Sequence, residues 1–402
     1  MNHMIKIAPL FLFASGFAGC SAGVSSNLPP HSIQAFSFVE RVPQWQASGI
    51  ATAFCPRVPL GYARCDLLRI NNRSDGSSIQ GWTPANLQAA YHLPSSKRGL
   101  GEIVAIVDAF DNPNAASDLA FYRSQFGLGN ANFTKYNQEG QQGNYPKASR
   151  NWGGEIDLDL QMVSASCPNC TIYLIEANGV GQDLAAADLE AVKLGAHIVT
   201  NSWGCEGSVS CVDSTDFSQP GVTYLASAGD NGYNVQAPAA FSSVIAVGGT
   251  TLTQSGSGYT QAVWVDSGAG CATGITKPSW QHDPDCTART MNDVSAVASG
   301  VAFYDTYKEP GWIDASGTSI SSPLTAGIVA LAGNATHLHG GERFWKLNAK
   351  RKARGITPIT SGFVEGCPAS LAGTYLCEAG TNQYGQYSAP AGWGTPHGIT
   401  AY

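Results

Sequence analysis

The sequence predicts an α/β protein: three layers, with a mostly parallel central sheet and helices on both faces. Three observations carry this. Residues 102–108 form a nearly continuous apolar run, strand and helix patterns alternate after it, and a long apolar helix begins near Ser319. A strand apolar at consecutive positions is covered on both faces, and strands alternating with helices make parallel neighbours. Ligands of such sheets bind beyond the carboxyl ends of the strands, so the residues that follow strands are where chemistry is expected.

Taken in order, Thr83-Pro84-Ala85-Asn86-Leu87 reads as a capped helix with proline at its first position, running to Tyr91. A strand over Glu102 to Asp108 and an amphipathic helix over Asn114 to Phe126 follow. The pattern continues with a helix from Gly154 to Ser166, a strand from Thr171 to Ala177 and a helix from Gln182 to Leu194. Strands are expected at His197 to Ser202, Val222 to Ser227 and Val244 to Val247, before the long helix after Ser319. Residues 358–402, rich in Gly, Ser and Thr, read as a loop-rich closing segment, and Gln138 to Gln142 as a surface loop.

The chain has 402 residues, 43% hydrophobic and 13% charged, enough for one large core. Its net charge of -7 gives no electrostatic footprint for nucleic acid. The basic run Lys346 to Arg354 reads as a solvated loop.

Residues 1–19 predict an export signal: Lys6, then the mostly apolar run Ile7 to Phe17, too short for a resident membrane helix. The ending Phe17-Ala18-Gly19-Cys20 resembles a bacterial lipoprotein box, which would lipidate Cys20, with ordinary cleavage nearby as the alternative. Residues 20–80 then form a linker and a short N-terminal extension, and 81–402 the main domain. Of 11 cysteines, those other than Cys20 fall into close pairs: Cys55 with Cys65, Cys167 with Cys170, Cys205 with Cys211, Cys271 with Cys286, and Cys367 with Cys377. Such pairs suit disulfides in an oxidising compartment. The spacing of Cys167 and Cys170 also fits zinc, but no second CxxC or paired histidines accompany it.

Four stretches carry possible chemistry. Ser316-Gly317-Thr318-Ser319 delivers a serine to the start of a helix, whose first N–H groups are free to hold an oxyanion. The same stretch is also an ordinary helix cap. Pro323 lacks an N–H and leaves a carbonyl near Ser319 without a helical partner. None of the eight histidines sits in a context suited to a base for this serine, and His197, opening a strand, reads as packed. Glu155 and Asp159, four apart, share a helix face at the edge of the stripe formed by Ile156, Leu160 and Val163, while Asp157 points away. Two carboxylates held together do not both ionise easily, which makes a base usable in acid. A first-turn acid favoured by the helix dipole is the competing reading. Asp230, in Ser227-Ala228-Gly229-Asp230-Asn231-Gly232, follows a strand; it can donate to an oxyanion only when protonated, and Asp-containing turns are otherwise common.

Together these stretches resemble the sedolisin family of serine-carboxyl peptidases, over about Trp82 to the C-terminus. The resemblance implies a subtilisin-like fold with Glu155 as general base, Asp159 as its supporting acid, Asp230 as the oxyanion aspartate and Ser319 as nucleophile. Ser202, Trp203 and Gly204 resemble the segment that lines the substrate cleft. The family's calcium aspartates are replaced here by Pro358 and Ser388, so no metal or other cofactor is expected. The long prodomain usual in the family is reduced to about residues 32–80. The implied protein is an exported endopeptidase, a monomer acting on protein or peptide substrates in acid and touching membrane only through a lipid anchor. A silent surface-binding protein with the same fold and a tripeptidyl-type exopeptidase are the alternatives.

Overall fold

The computed structural model describes Gln46 and residues 48–59, 61–71, 76–347 and 349–402. The expected signal at 1–19, the expected lipidation at Cys20 and the linker after it lie outside the described residues. Strands in chain order are β1 (Ala51–Ala53), β2 (Ala63–Cys65), β3 (Leu68–Ile70), β4 (Ile103–Ala109), β5 (Asn132–Asn137), β6 (Thr171–Ala177), β7 (Ile198–Asn201), β8 (Trp203–Cys205) and β9 (Thr223–Ser227). They continue with β10 (Val244–Ser255), β11 (Gly258–Val263), β12 (Gly270–Thr276), β13 (Ala288–Met291), β14 (Val294–Val297), β15 (Ser299–Asp305), β16 (Gly311–Ser316), β17 (Ile356–Thr357) and β18 (Thr395–Pro396). The α-helices among the described residues are α1 (Pro84–Ala90), α2 (Ala115–Gln125), α3 (Arg150–Ser166), α4 (Gln182–Lys193), α5 (Thr318–Ala332), α6 (Glu342–Lys346) and α7 (Ala349–Gly355).

The main sheet runs β11-β10-β9-β7-β4-β6-β5, with β14 also on β10; every pair is parallel except β10 with β11. β4 is at its centre, and its apolar residues Val104 to Val107 are fully buried, as strands covered on both faces require. A second, antiparallel sheet, β1-β3-β16-β15, carries β16 directly into α5. From Thr318 to Leu331 every residue of α5 is buried, so this helix is the spine of the core and packs along α3.

Several expectations need correction. α3 begins at Arg150 rather than Gly154, because Ser149 caps it by accepting from the Trp152 N–H. Gly154 survives inside the helix for a packing reason: a Cβ there would lie 2.4 Å from the Phe54 ring. Glu155 therefore sits beyond the first turn, where the dipole explanation of its acidity no longer applies. β10 runs to Ser255, eight residues past the expected end, because its second half pairs with β11. The basic run at 346–354 forms parts of α6 and α7 rather than a loop, with Lys350 and Arg351 exposed. His197 is exposed, not packed, and its ring faces the Gly221 carbonyl. Residues 48–71 of the extension supply β1 to β3 and bury Leu67 and Leu68 in the molecule. All five expected cysteine pairs are joined as disulfides.

Candidate active site

Ser319 stands in the first turn of α5, after the turn at Gly317. Gly317 has φ 134°, and a Cβ on it would lie 2.3 Å from the Asp66 carbonyl oxygen and 2.9 Å from Asp230 Oδ2, so only glycine fits. The Ser319 carbonyl, deprived of its helical donor by Pro323, accepts from Ser202 Oγ at 3.3 Å. The Ser319 hydroxyl donates in turn to the Ser202 carbonyl at 3.3 Å.

Glu155 and Asp159 lie on the face of α3 turned to α5, and both are fully buried. Burial raises the Glu155 carboxyl well above the usual range, the charges of Asp159 and Asp108 raise it further, and the Ser319 hydroxyl pulls against the rise. Asp159 is likewise raised well above its ordinary value by burial and by Asp108, with Ser202 and Glu155 opposing. The groups that act on Glu155 are thus carboxylates and Ser319, not a histidine. Asp157, on the opposite face, is buried as well: it accepts from Asn112 Nδ2 at 2.7 Å and lies beside Asp118 and Asp305.

Asp230 follows β9 and is fully buried. Its Oδ1 accepts from the Thr318 N–H at 2.8 Å and from Thr318 Oγ1 at 2.9 Å. The carboxyl is raised well above its ordinary value, by burial first and by Asp66 second, against the pull of Thr318 and Arg64. It therefore retains a proton in acid and at least one donor.

A stretch of the extension runs through this site. β2 pairs antiparallel with β8, Cys65 opposite Trp203 and Arg64 opposite Gly204. The Asp66 N–H donates to the Ser202 carbonyl at 3.1 Å, and the Ser319 N–H donates to the Asp66 carbonyl at 3.3 Å. Beyond Leu67 the chain pairs as β3 with β16, just before the serine turn. The Asp66 side chain enters a pocket, where Oδ2 accepts from Ser227 Oγ at 2.7 Å and from Gln236 Nε2 at 2.5 Å. Burial raises its carboxyl to about 6, against the pull of Arg64. Trp203 contributes backbone to this cleft and not its ring, which is fully buried with Nε1 donating to the Val107 carbonyl at 3.1 Å.

The structure thus brings Glu155, Asp159, Asp230, Ser319 and the Ser202–Gly204 segment together. Sequence reading missed Asp108, Asp66 and Gln236. Asp108 had a signal, an acid closing an apolar strand at its carboxyl end; its carboxyl is fully buried without a hydrogen-bond partner among the described residues and is pushed up to about 8 by burial. Asp66 and Gln236 stand in no recognisable motif, and only the fold places them. At the positions matched to the family's calcium ligands, Pro358 offers no side-chain donor and Ser388 one hydroxyl, a donor set that does not fit calcium.

This sheet order, with a serine at the mouth of a buried helix leaving the sheet's carboxyl edge, is the subtilisin-like class of α/β fold. Residues 136–350, more than half of the chain, match the Subtilase family, and the chain belongs to that family, in its sedolisin branch. It is 28% identical to kumamolisin of Bacillus sp. (strain MN-32) over 64% of this chain and 53% of that protein. It is 25% identical to sedolisin of Pseudomonas sp. (strain 101) over 83% of this chain and 62% of that protein. The chain therefore spans less than two thirds of the length of either relative. Among solved structures, Pseudomonas sedolisin, a serine-carboxyl proteinase complexed with two molecules of pseudo-iodotyrostatin, superposes with a TM-score of 0.66 at 24% identity. That match covers 80% of this chain and 96% of the other.

Proposed function

We propose that this protein is an exported serine-carboxyl endopeptidase that hydrolyses peptide bonds in acid through an acyl-enzyme on Ser319. The observation that carries the reading is that Glu155, Asp159 and Asp108, all fully buried, lie within charge reach of one another beside the buried Ser319. Glu155 takes the Ser319 proton as Oγ attacks the peptide carbonyl, and Asp159 holds Glu155 in place and shares its charge. Protonated Asp230 and the Ser319 N–H stabilise the tetrahedral oxyanion. Glu155 returns the proton to the leaving amine, and water, activated by the same group, hydrolyses the ester. No calcium enters these steps, since Pro358 and Ser388 do not supply its ligands.

The endopeptidase mode is supported by a chain passing right through the site, with β2 on one side of Asp66 and β3 on the other. Export is supported by the residue pattern at 1–19 and by five disulfides, which form in oxidising compartments. No helix among the described residues is long and apolar enough to cross a membrane. The test compares the wild type with Ser319→Ala and Glu155→Gln on denatured protein across a pH series from about 4 to about 7, because the raised Glu155 carboxyl sets where it becomes a base. Both variants should lose at least about a hundredfold in kcat, and equal activity in all three chains would exclude the mechanism.

A further inference from the structure

Residues 63–66 lie in the cleft as a substrate would. The strand β2 follows β8 in antiparallel register, the Asp66 N–H bonds the Ser202 carbonyl, and the Asp66 carbonyl faces the N–H of Ser319. The Asp66 side chain is presented to a pocket beside the serine. Ser227 Oγ and Gln236 Nε2 both point donors at its Oδ2. Gln236 is itself buried, anchored by the Ser227 carbonyl at 3.2 Å, and it fills the floor of the pocket between two glycines. A Cβ on Gly204 would lie 2.0 Å from Gln236 Cδ, and one on Gly229 would lie 3.0 Å from it. The pocket is therefore shallow and lined by donors, which suits a short side chain carrying an acceptor oxygen.

From this geometry we infer that Gln236 and Ser227 select aspartate, and next asparagine, on the amino side of the bond cut, and that the chain's own Asp66–Leu67 bond is its first substrate. The inference rests on the peptidase reading above. In the step, Ser319 Oγ bonds to the Asp66 carbonyl carbon as its proton passes to Glu155, and the bond to the Leu67 nitrogen breaks as that nitrogen takes the proton. Water then splits the ester, leaving a carboxyl on Asp66 and the hydroxyl on Ser319. Cys55 and Cys65 both precede the cut, so their disulfide does not tether the released piece. The pairings of β1 with β3 and of β2 with β8, three residues against three in each, are what the released piece gives up as it leaves the cleft and admits a second substrate.

The experiment incubates the full chain across a pH series from about 4 to about 7 and reads new amino termini by mass spectrometry after denaturation and reduction. Wild type should begin at Leu67, Ser319→Ala should stay uncut, Asp66→Asn should still be cut there, and Asp66→Leu should be cut there at least about tenfold more slowly. The acid-treated wild type is then given peptides that differ only at the residue before the cut. Aspartate should be preferred over leucine, and Gln236→Leu should reduce that preference about tenfold. Peptide cleavage without an aspartate preference, a preference untouched by Gln236→Leu, or a terminus generated elsewhere while residue 67 stays internal overturns the inference and leaves the peptidase reading standing. No cleavage of the chain or of any peptide overturns both.

Discussion

Ser202 and Ser319 bond each other twice: Ser202 Oγ donates to the Ser319 carbonyl, and Ser319 Oγ donates to the Ser202 carbonyl, each at 3.3 Å. The first bond exists because Pro323 cannot supply the helical N–H for that carbonyl. The end of β7 is thereby locked to the mouth of α5, and the candidate nucleophile is fixed against the strand that lines the cleft. Ser202→Ala should leave a buried carbonyl unpaired and destabilise the fold by about 1–3 kcal/mol. Denaturant midpoints at constant m-value check this, and a change below about 0.5 kcal/mol would mean that the bond is not structural.

The Asp159 charge raises the Glu155 carboxyl, so removing it should let that carboxyl fall back toward its ordinary value. Glu155 would then be deprotonated, and competent as a base, at lower pH. Asp159→Asn should move the acidic limb of the kcat/KM profile to lower pH while reducing the maximum, because a supporting group is lost. Asp108→Asn should move the same limb in the same direction, as it acts on Glu155 by charge too. An acidic limb that shifts upward in either variant would contradict this electrostatic arrangement.

Stability should be greatest in acid. Burial raises Asp66 to about 6, Asp305 to about 7, Asp108 to about 8 and Glu176 to about 9. An unfolded chain releases these protons near pH 4, whereas the folded chain keeps them, so between those limits the native state binds more protons than the unfolded one. Stability is then fully present below the unfolded values and is lost as pH rises through the folded ones. Thermal midpoints measured from pH 4 upward should fall steadily, and Asp108→Asn should flatten the decline below pH 8. A midpoint that climbs toward neutrality would refute the protonated carboxyls.

The alternation of strands and helices was legible because a two-sided parallel sheet leaves an unmistakable apolar pattern, and the spacing of Glu155 and Asp159 placed them on one face whatever the helix boundary. What escaped was set by distance in the chain. A Cβ at position 154 would meet Phe54, a hundred residues earlier, so glycine is kept inside the helix there, and it hid the true start at Arg150. Asp66 and Gln236 meet only once β2 lies on β8, so no local spacing reveals them. Asp157 read as merely turned away from Glu155, but the second sheet buries that face too, bringing Asp305 up to it.

Asp230 separates two demands that the acid site places on one carboxyl. Its Oδ1 accepts from the Thr318 N–H and hydroxyl, which orients the group, so the other oxygen must carry the proton if it is to donate to an oxyanion. Asparagine keeps the accepting oxygen and replaces the protonated one by an NH2, a donor at every pH. Asp230→Asn should therefore retain activity in acid and extend it on the alkaline side, whereas Asp230→Ala should lose roughly a hundredfold to a thousandfold in kcat with little change in KM. The two pH profiles, taken on one peptide, decide the matter. If Asp230→Asn is as inactive as Asp230→Ala at every pH while folded, the carboxyl does something other than donate a hydrogen bond.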